Sequence, residues 1–225
     1  MRSSNQDCYY AGDRLLVVAD GMGGMAAGDV ASRIAVEAMA SLDVPIDNDH
    51  QMDALHKALE VANGRIAETV AGDAALQGMG TTLTAVIFSG DRAALAHVGD
   101  SRAYLLRDGR LNQLTKDDTY VQMLVDQGLI RPEEAGSHPR RAVVTQALQG
   151  EPVSPSYVIV EPEPGDRWLL CSDGLTTVVP AERIEAELLA CDGPQTCAER
   201  LVDLALQGGG PDNVTVIVAD LALGD

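Results

Sequence analysis

The order of segments along the chain predicts an α+β domain layered around mainly antiparallel sheet. Stretches with strand and helix character follow one another as strands, helices, strands, helices and a last strand. Gly90-Asp91 and Asp108-Gly109 each separate two strand-like runs, and such pairs form the tight turns that join antiparallel neighbours. Across 225 residues no Pro- or Ser-rich linker and no shift of composition divides the chain, so a single domain spanning 1–225 is expected.

The elements follow from their periods. The apolar run Leu15 to Val18 predicts a strand over Arg14 to Ala19 that delivers Asp20 into a turn with Gly21, Gly23 and Gly24, residues that permit φ > 0 and close approach to a ligand. From Asp29, Val30, Ile34, Ala38 and Leu42 recur at roughly helical spacing. Leu55, Leu59, Ala62, Ile66 and Val70 trace one face of a second helix despite Gly64. The period then changes: Thr81 to Phe88, Ala93 to Val98, Arg102 to Arg107 and Leu111 to Leu114 read as a meander of adjacent antiparallel strands. Thr115 to Gly150 is polar, with short helical patterns at Val121 to Val125 and at Val143 to Leu148, and reads as an excursion from the sheet. Strands resume at Tyr157 to Val160 and Arg167 to Cys171, joined by a turn at Pro164 to Asp166. Helices at Ala181 to Ala190 and Gln195 to Leu206 then precede a last strand at Val214 to Ala219.

Composition narrows the function. A formal charge of −18 opposes binding to a polyanion and so argues against nucleic acid as a partner, and phosphate chemistry would need bound cations or a placed arginine. Aromatic residues make up 3% of the chain, which argues against base stacking as a mode of recognition. Cys8, Cys171, Cys191 and Cys197 have neither CxxC nor zinc spacing and read as reduced packing residues. The N-terminus has no signal-peptide pattern and no apolar run approaches a membrane span, so a cytoplasmic module without a membrane segment is expected.

Four aspartates share a local grammar, an apolar strand with Asp and Gly at its end. Asp20 follows LLVVA, Asp100 follows ALAHVG, Asp173 lies in LLCSDG and Asp212 in GGGPDN. Any one alone is ordinarily a turn former or helix cap. If the strands are neighbours, four carboxylates converge on one edge, where their repulsion calls for cations. Oxygen-only ligands favour Mg²⁺ or Mn²⁺ over zinc. Two such ions, about 3.5 to 4 Å apart, lower the pKa of a shared water and admit a phosphate dianion. Arg2 offers a forked clamp for that phosphate, although by position alone it reads as a frayed terminal residue. The chain lacks a GxSxG elbow, a cysteine-based phosphate cradle and a GxxxxGK[ST] loop. Of the histidines, His50, His56 and His97 read as solvated or packed, and His138 alone, in the excursion, stands as a substrate contact.

The segments RSSNQD, ADGMGGMAAGDVAS, GMGTTLTAVIF, HVGDSRAYLLRDG, LTKDDTYVQMLVDQGLI, LLCSDGL and GGPDNVTVIVAD occur in that order. Together they resemble the PP2C-type (PPM) serine/threonine protein phosphatases, most of all the bacterial PstP-like branch that opposes Hanks-type kinases. The resemblance implies an αββα sandwich of two mainly antiparallel sheets flanked by helices. It implies metal ligation by Asp20 and the carbonyl of Gly21, by Asp173 and Asp212, and by Asp100 with Asp173 at a third site. Arg2 becomes the phosphate-binding arginine, and Gln6 and Asp7 orient metal-bound water, with Asn213 beside the last metal aspartate. Residues 115–150 become a flap that influences substrate choice. The implied activity is Mn²⁺- or Mg²⁺-dependent hydrolysis of phosphoserine and phosphothreonine on proteins, including kinases and their substrates, by in-line attack of hydroxide bridging two ions, in a monomer.

Three departures from the family pattern bear on this reading. Met25 stands where bacterial relatives usually have histidine, and Ala142 where PstP-like enzymes have a flap serine near the third metal. The chain also begins at the arginine, whereas relatives carry another strand before it. Two alternatives stay open: a catalytically weakened fold acting as a phosphoprotein-binding regulatory module, and an oxygen-ligand metal protein such as a nuclease, which the net charge disfavours.

Overall fold

The computed structural model describes residues 4–24 and 27–221, so Arg2 and Met25 lie outside the described residues. Among the described residues ten strands form two sheets. The first holds β1 (Asp7–Ala11), β2 (Leu15–Met22), β3 (Gly80–Thr81), β4 (Leu83–Ser89), β5 (Arg92–Val98) and β8 (Ser156–Val160), in the order β1-β2-β4-β5-β8 with β3 on the far end of β2. The second runs β10 (Val216–Asp220), β9 (Arg167–Cys171), β6 (Arg102–Arg107) and β7 (Arg110–Gln113). All pairings are antiparallel.

Alternation along the strands builds the layers. In β2, Leu15, Val17 and Ala19 face α1 (Ala27–Ala40) and α2 (Gln51–Gly72), while Leu16 and Val18 face the other sheet. In β9, Trp168 and Leu170 enter the space between the sheets, and Leu169 and Cys171 pack toward α6 (Ala181–Ala190) and α7 (Pro194–Gln207). Burial on both faces explains why these strands read as unbroken apolar runs rather than alternating ones. Each fully buried Leu or Val contributes about 1.5–3 kcal/mol relative to exposure. The single tryptophan and the single phenylalanine meet between the sheets, Trp168 and Phe88 edge-to-face at 5.1 Å. On the outer side α1 approaches β2 closely because Ala31 and Ala35, both fully buried, carry little bulk. The layers are helix, sheet, sheet, helix, the sandwich that the resemblance implies.

The single meander is corrected. β4 and β5 form a hairpin in the first sheet, but β6 and β7 belong to the second, and β8 rather than β6 pairs with β5. The reason is that Gly99, at φ +108, turns the chain out of the first sheet before β6 begins. Likewise β8 and β9 do not pair, and the turn between them is a crossing from sheet to sheet. The excursion holds α3 (Tyr120–Asp126) and α4 (Pro132–Ala135). Its second helical pattern is not helix: Val144 bridges Thr119 and Leu148 bridges Thr81, so those apolar residues anchor an extended return. The remaining helix, α5 (Asp173–Thr176), follows β9 directly.

Candidate active site

The strand ends bring the aspartates together. β2 runs on through Asp20 to Met22, because Gly21 and Met22 pair with Thr81 and Gly80 of β3. Asp20 therefore lies near the end of a strand, not in a turn. Register places Asp7 of β1 directly opposite it. Like charges opposed across a ladder repel, so this pair needs a proton or a cation. Asp100 sits in the crossing from β5 to β6, Asp173 opens α5 after β9, and Asp212 precedes β10, so the carboxylates come from both sheets.

Their electrostatics record the crowding. Burial, then the charges of Asp7, Asp173, Asp100 and Asp212, hold the Asp20 carboxyl well above its ordinary range. Burial also raises Asp7. Asp100 is pushed up to about 7, by burial first and then by Asp173 and Asp117. Asp7 is held from behind: Ser172 Oγ and Thr215 Oγ1 donate to its Oδ2 at 2.8 and 2.7 Å. Its Oδ1 is buried and has no hydrogen-bond partner among the described residues. The Asp20 carboxyl also interacts with Asp7, and two buried carboxyls facing each other are relieved by a shared proton or a cation.

A cleft of about 320 Å³ opens beside the group, lined by Asp100, Asp173 and Asp212 and by Thr119, Val121 and Ala142 of the excursion. Two larger grooves, against α7 and between α1 and α2, carry none of the strand-end carboxylates. Among the described residues no three His, Cys, Asp or Glu side chains close into one compact cage.

The other sequence-predicted residues divide. Gln6 is buried, and its backbone joins three elements: its N–H donates to Asn213 Oδ1 at 3.0 Å, and its carbonyl accepts from Ser32 Oγ and from Gly21 N–H. Asn213 also reaches the carbonyl of Ser4 at 3.1 Å, so it staples the N-terminal segment to the Asp212 loop. Ala142 lies on the cleft wall. His138 is not brought there: its ring stands 6.0 Å from that of Tyr120, and its Nδ1 accepts from the amide of Arg140. Cys8, Cys171, Cys191 and Cys197 are all free thiols.

The glycines near the site are required by space more than by positive φ. Only Gly23 of the three near Asp20 has positive φ, +142. Gly21 is required by space, since a Cβ there would collide with the carbonyl oxygens of Gly28 and Gln6. A Cβ on Gly174 would collide with the carbonyl oxygen of Asn213, so the residues after Asp173 and Asp212 touch backbone to backbone. Gly174→Ala is expected to cost about 1–3 kcal/mol, read as a lower midpoint in denaturant unfolding; an unchanged midpoint would contradict this packing.

Several supporting residues escaped the sequence reading. Thr82 Oγ1 accepts from the Asp20 amide at 3.0 Å and Thr81 Oγ1 donates to the Asp20 carbonyl at 3.0 Å. Arg102 makes a two-pronged pair with Asp117 at 2.8 and 2.7 Å on the cleft wall. The Thr-Thr pair reads as β-branched strand, and nothing in that signal separates a hydroxyl that packs from one that holds the backbone of Asp20.

The profile of the family described as Protein phosphatase 2C matches residues 2–204. The chain belongs to the protein phosphatase 2C family. It is 52% identical over 221 residues to the serine/threonine protein phosphatase PstP of Mycobacterium tuberculosis, covering 98% of this chain and 43% of that protein. The chain thus spans less than half the length of that curated relative. The crystal structure of the M. tuberculosis PstP/Ppp phosphatase superposes with a TM-score of 0.94 at 52% identity, covering 98% of this chain and 94% of that one. A PstP catalytic domain in complex with two manganese ions gives 0.90 at 50% identity, covering 98% and 93%. No helix among the described residues is long and apolar enough to cross a membrane.

Proposed function

We propose that the chain hydrolyses phosphoserine and phosphothreonine on proteins, among them Ser/Thr kinases and their substrates, with divalent cations as cofactor. The observation that carries this reading is the group of aspartates at the meeting of the two sheets, which share buried negative charge beside an open cleft. Kinship supports it, because the PstP catalytic domain named above binds two manganese ions. The donor set fits: it is oxygen only, electrostatically frustrated without a cation, and includes the buried Oδ1 of Asp7.

In this reading Asp20, the Gly21 carbonyl, Asp173 and Asp212 hold two Mn²⁺ or Mg²⁺ ions, and Asp100 with Asp173 offers a third site. Bound there, the ions supply Lewis-acid activation of water and neutralise the phosphate. The chain's own residues do the rest. Asp7, fixed by Ser172 and Thr215, orients water through its other oxygen. Asn213 holds the N-terminal segment that leads to Arg2, whose guanidinium is the proposed two-pronged clamp on the phosphate. The excursion wall, with Ala142 and the exposed Arg141, receives the peptide around the phosphorylated residue. All these groups come from one chain, so no second copy is needed.

Calorimetry and turnover on one phosphothreonine peptide separate this reading from a regulatory binding module. Phosphate release at saturating Mn²⁺ that stops on chelation is expected. Binding without turnover would favour the module instead.

A further inference from the structure

A buried polar chain leads away from the Asp20 strand end to the root of the excursion. The Asp20 amide donates to Thr82 Oγ1, which lies 2.8 Å from Ser101 Oγ. The Ser101 carbonyl accepts from Thr84 Oγ1 at 3.0 Å, and that hydroxyl lies 2.9 Å from His97 Nδ1. On its far side the ring's Nε2 is 3.1 Å from the carbonyl oxygen of Lys116. Thr82, Thr84, His97 and Ser101 are all 1% exposed or less. The Lys116 carbonyl only accepts, so Nε2 carries a hydrogen. Burial holds the ring below the ordinary imidazole range and favours the neutral form. Nδ1 then accepts from Thr84, whose one hydrogen is shared with the Ser101 carbonyl.

Lys116 begins the stretch that fixes the root of residues 115–150. Asp117 takes Arg102 in its two-pronged pair. The Asp118 amide donates to the Gly99 carbonyl at 2.6 Å, and its carboxylate accepts from Gly99 N–H and from Gln146 Nε2. The returning end is tied to the same place, since the Thr145 amide donates to the Asp118 carbonyl at 2.7 Å. Both ends of the excursion are therefore pinned to the crossing that carries Asp100. His97 does not line the cleft, and hydrolysis as set out above gives it no part. A fully buried imidazole is costly unless both polar edges are used, and here both are.

We infer that His97 is a positioning residue that locks the root of the 115–150 segment to the strand ends carrying Asp20 and Asp100, and so sets how that segment presents a phosphorylated peptide. The presentation half rests on the phosphatase reading; the lock itself does not.

Two variants split the ring's edges. In His97→Gln the amide nitrogen reaches the Nε2 position and keeps the donation to Lys116; in His97→Asn it reaches only the Nδ1 position and loses it. Hydrogen exchange of the metal-loaded protein is expected to show faster exchange at residues 116–119 and 143–146 in His97→Asn, with His97→Gln like wild type. On a phosphothreonine peptide, kcat/KM should fall on the order of 10- to 100-fold in His97→Asn. Turnover of p-nitrophenyl phosphate, which has no peptide to present, should stay within about twofold, and His97→Gln should restore the peptide rate. Unchanged exchange in His97→Asn, or equal losses on both substrates, overturns the inference. If His97→Asn does not fold, Thr84→Val, which frees the ring to turn, is read by the same two measurements. Should wild type hydrolyse neither substrate, the phosphatase reading fails while the exchange comparison still decides the lock.

Discussion

Asp20→Asn is expected to lower Mn²⁺-dependent turnover of a phosphothreonine peptide by on the order of 10³-fold or more. The substitution keeps the shape of the side chain and removes the one charge that all the others face: Asp7 from across the ladder, and Asp173, Asp100 and Asp212 from the strand ends. An amide there leaves a cation with too little negative charge to displace its water. Loss of fold is separable from loss of chemistry. Without metal the variant should unfold no more easily than wild type at pH 8, because the amide relieves a buried charge among like charges. A variant that melts lower while keeping its turnover would reverse this assignment.

The second large effect is on stability, and its sign follows from the same crowding. Folding raises the Asp7, Asp20 and Asp100 carboxyls above the ordinary 3.8, Asp100 to about 7. Between 3.8 and about 7 the folded chain therefore binds more protons than the unfolded one, and stability of the metal-free protein should fall as pH rises through that window. The opposite contributions act lower. Burial pushes the Asp43 and Asp166 carboxyls up, but hydrogen bonds from Arg14 and Tyr10, and from Arg107, hold both below the ordinary value. Their stabilisation is present above 3.8 and is lost only on stronger acidification. If Mn²⁺ takes the place of those protons, as proposed, it should cancel the fall. At a hundredfold excess over Kd it adds about 2.7 kcal/mol, roughly 5–10 °C in melting temperature for a chain of this size. Melting curves in EDTA and in Mn²⁺ between pH 4.5 and 8 check this. A metal-free midpoint that rises steadily to pH 8 would contradict it.

Much of this was legible in the residues themselves. Helices α1, α2, α6 and α7 follow from their apolar faces, and the hairpin turns from their Gly and Asp pairs. Asp20, Asp100 and Asp173 stand out because each follows an apolar run beside a glycine, and Asp212 because it lies in GGGPDN just before one. Which strands share a sheet was not legible, because β5 and β6 are separated only by Gly99 to Ser101, a spacing that suits a hairpin as well as a crossing. Val143 to Leu148 misled for a related reason: short apolar clusters have no period of their own, and the bridges to Thr119 and Thr81 decide their form. The supports of the site, Thr82, Ser172 and Thr215, are invisible in sequence because a hydroxyl's role depends on what folding places beside it. Gly21 and Gly174 were visible as glycines but not for their reason, which is backbone contact with Gln6, Gly28 and Asn213.

On the proposed reading these aspartates form a cation-dependent site for phosphate ester hydrolysis. Its most direct test is phosphate release from a phosphothreonine peptide by this chain in Mn²⁺, in EDTA, and in EDTA with Mn²⁺ restored. Turnover in Mn²⁺, its loss in EDTA and its return with restored Mn²⁺ are expected. Turnover that persists through chelation would contradict it.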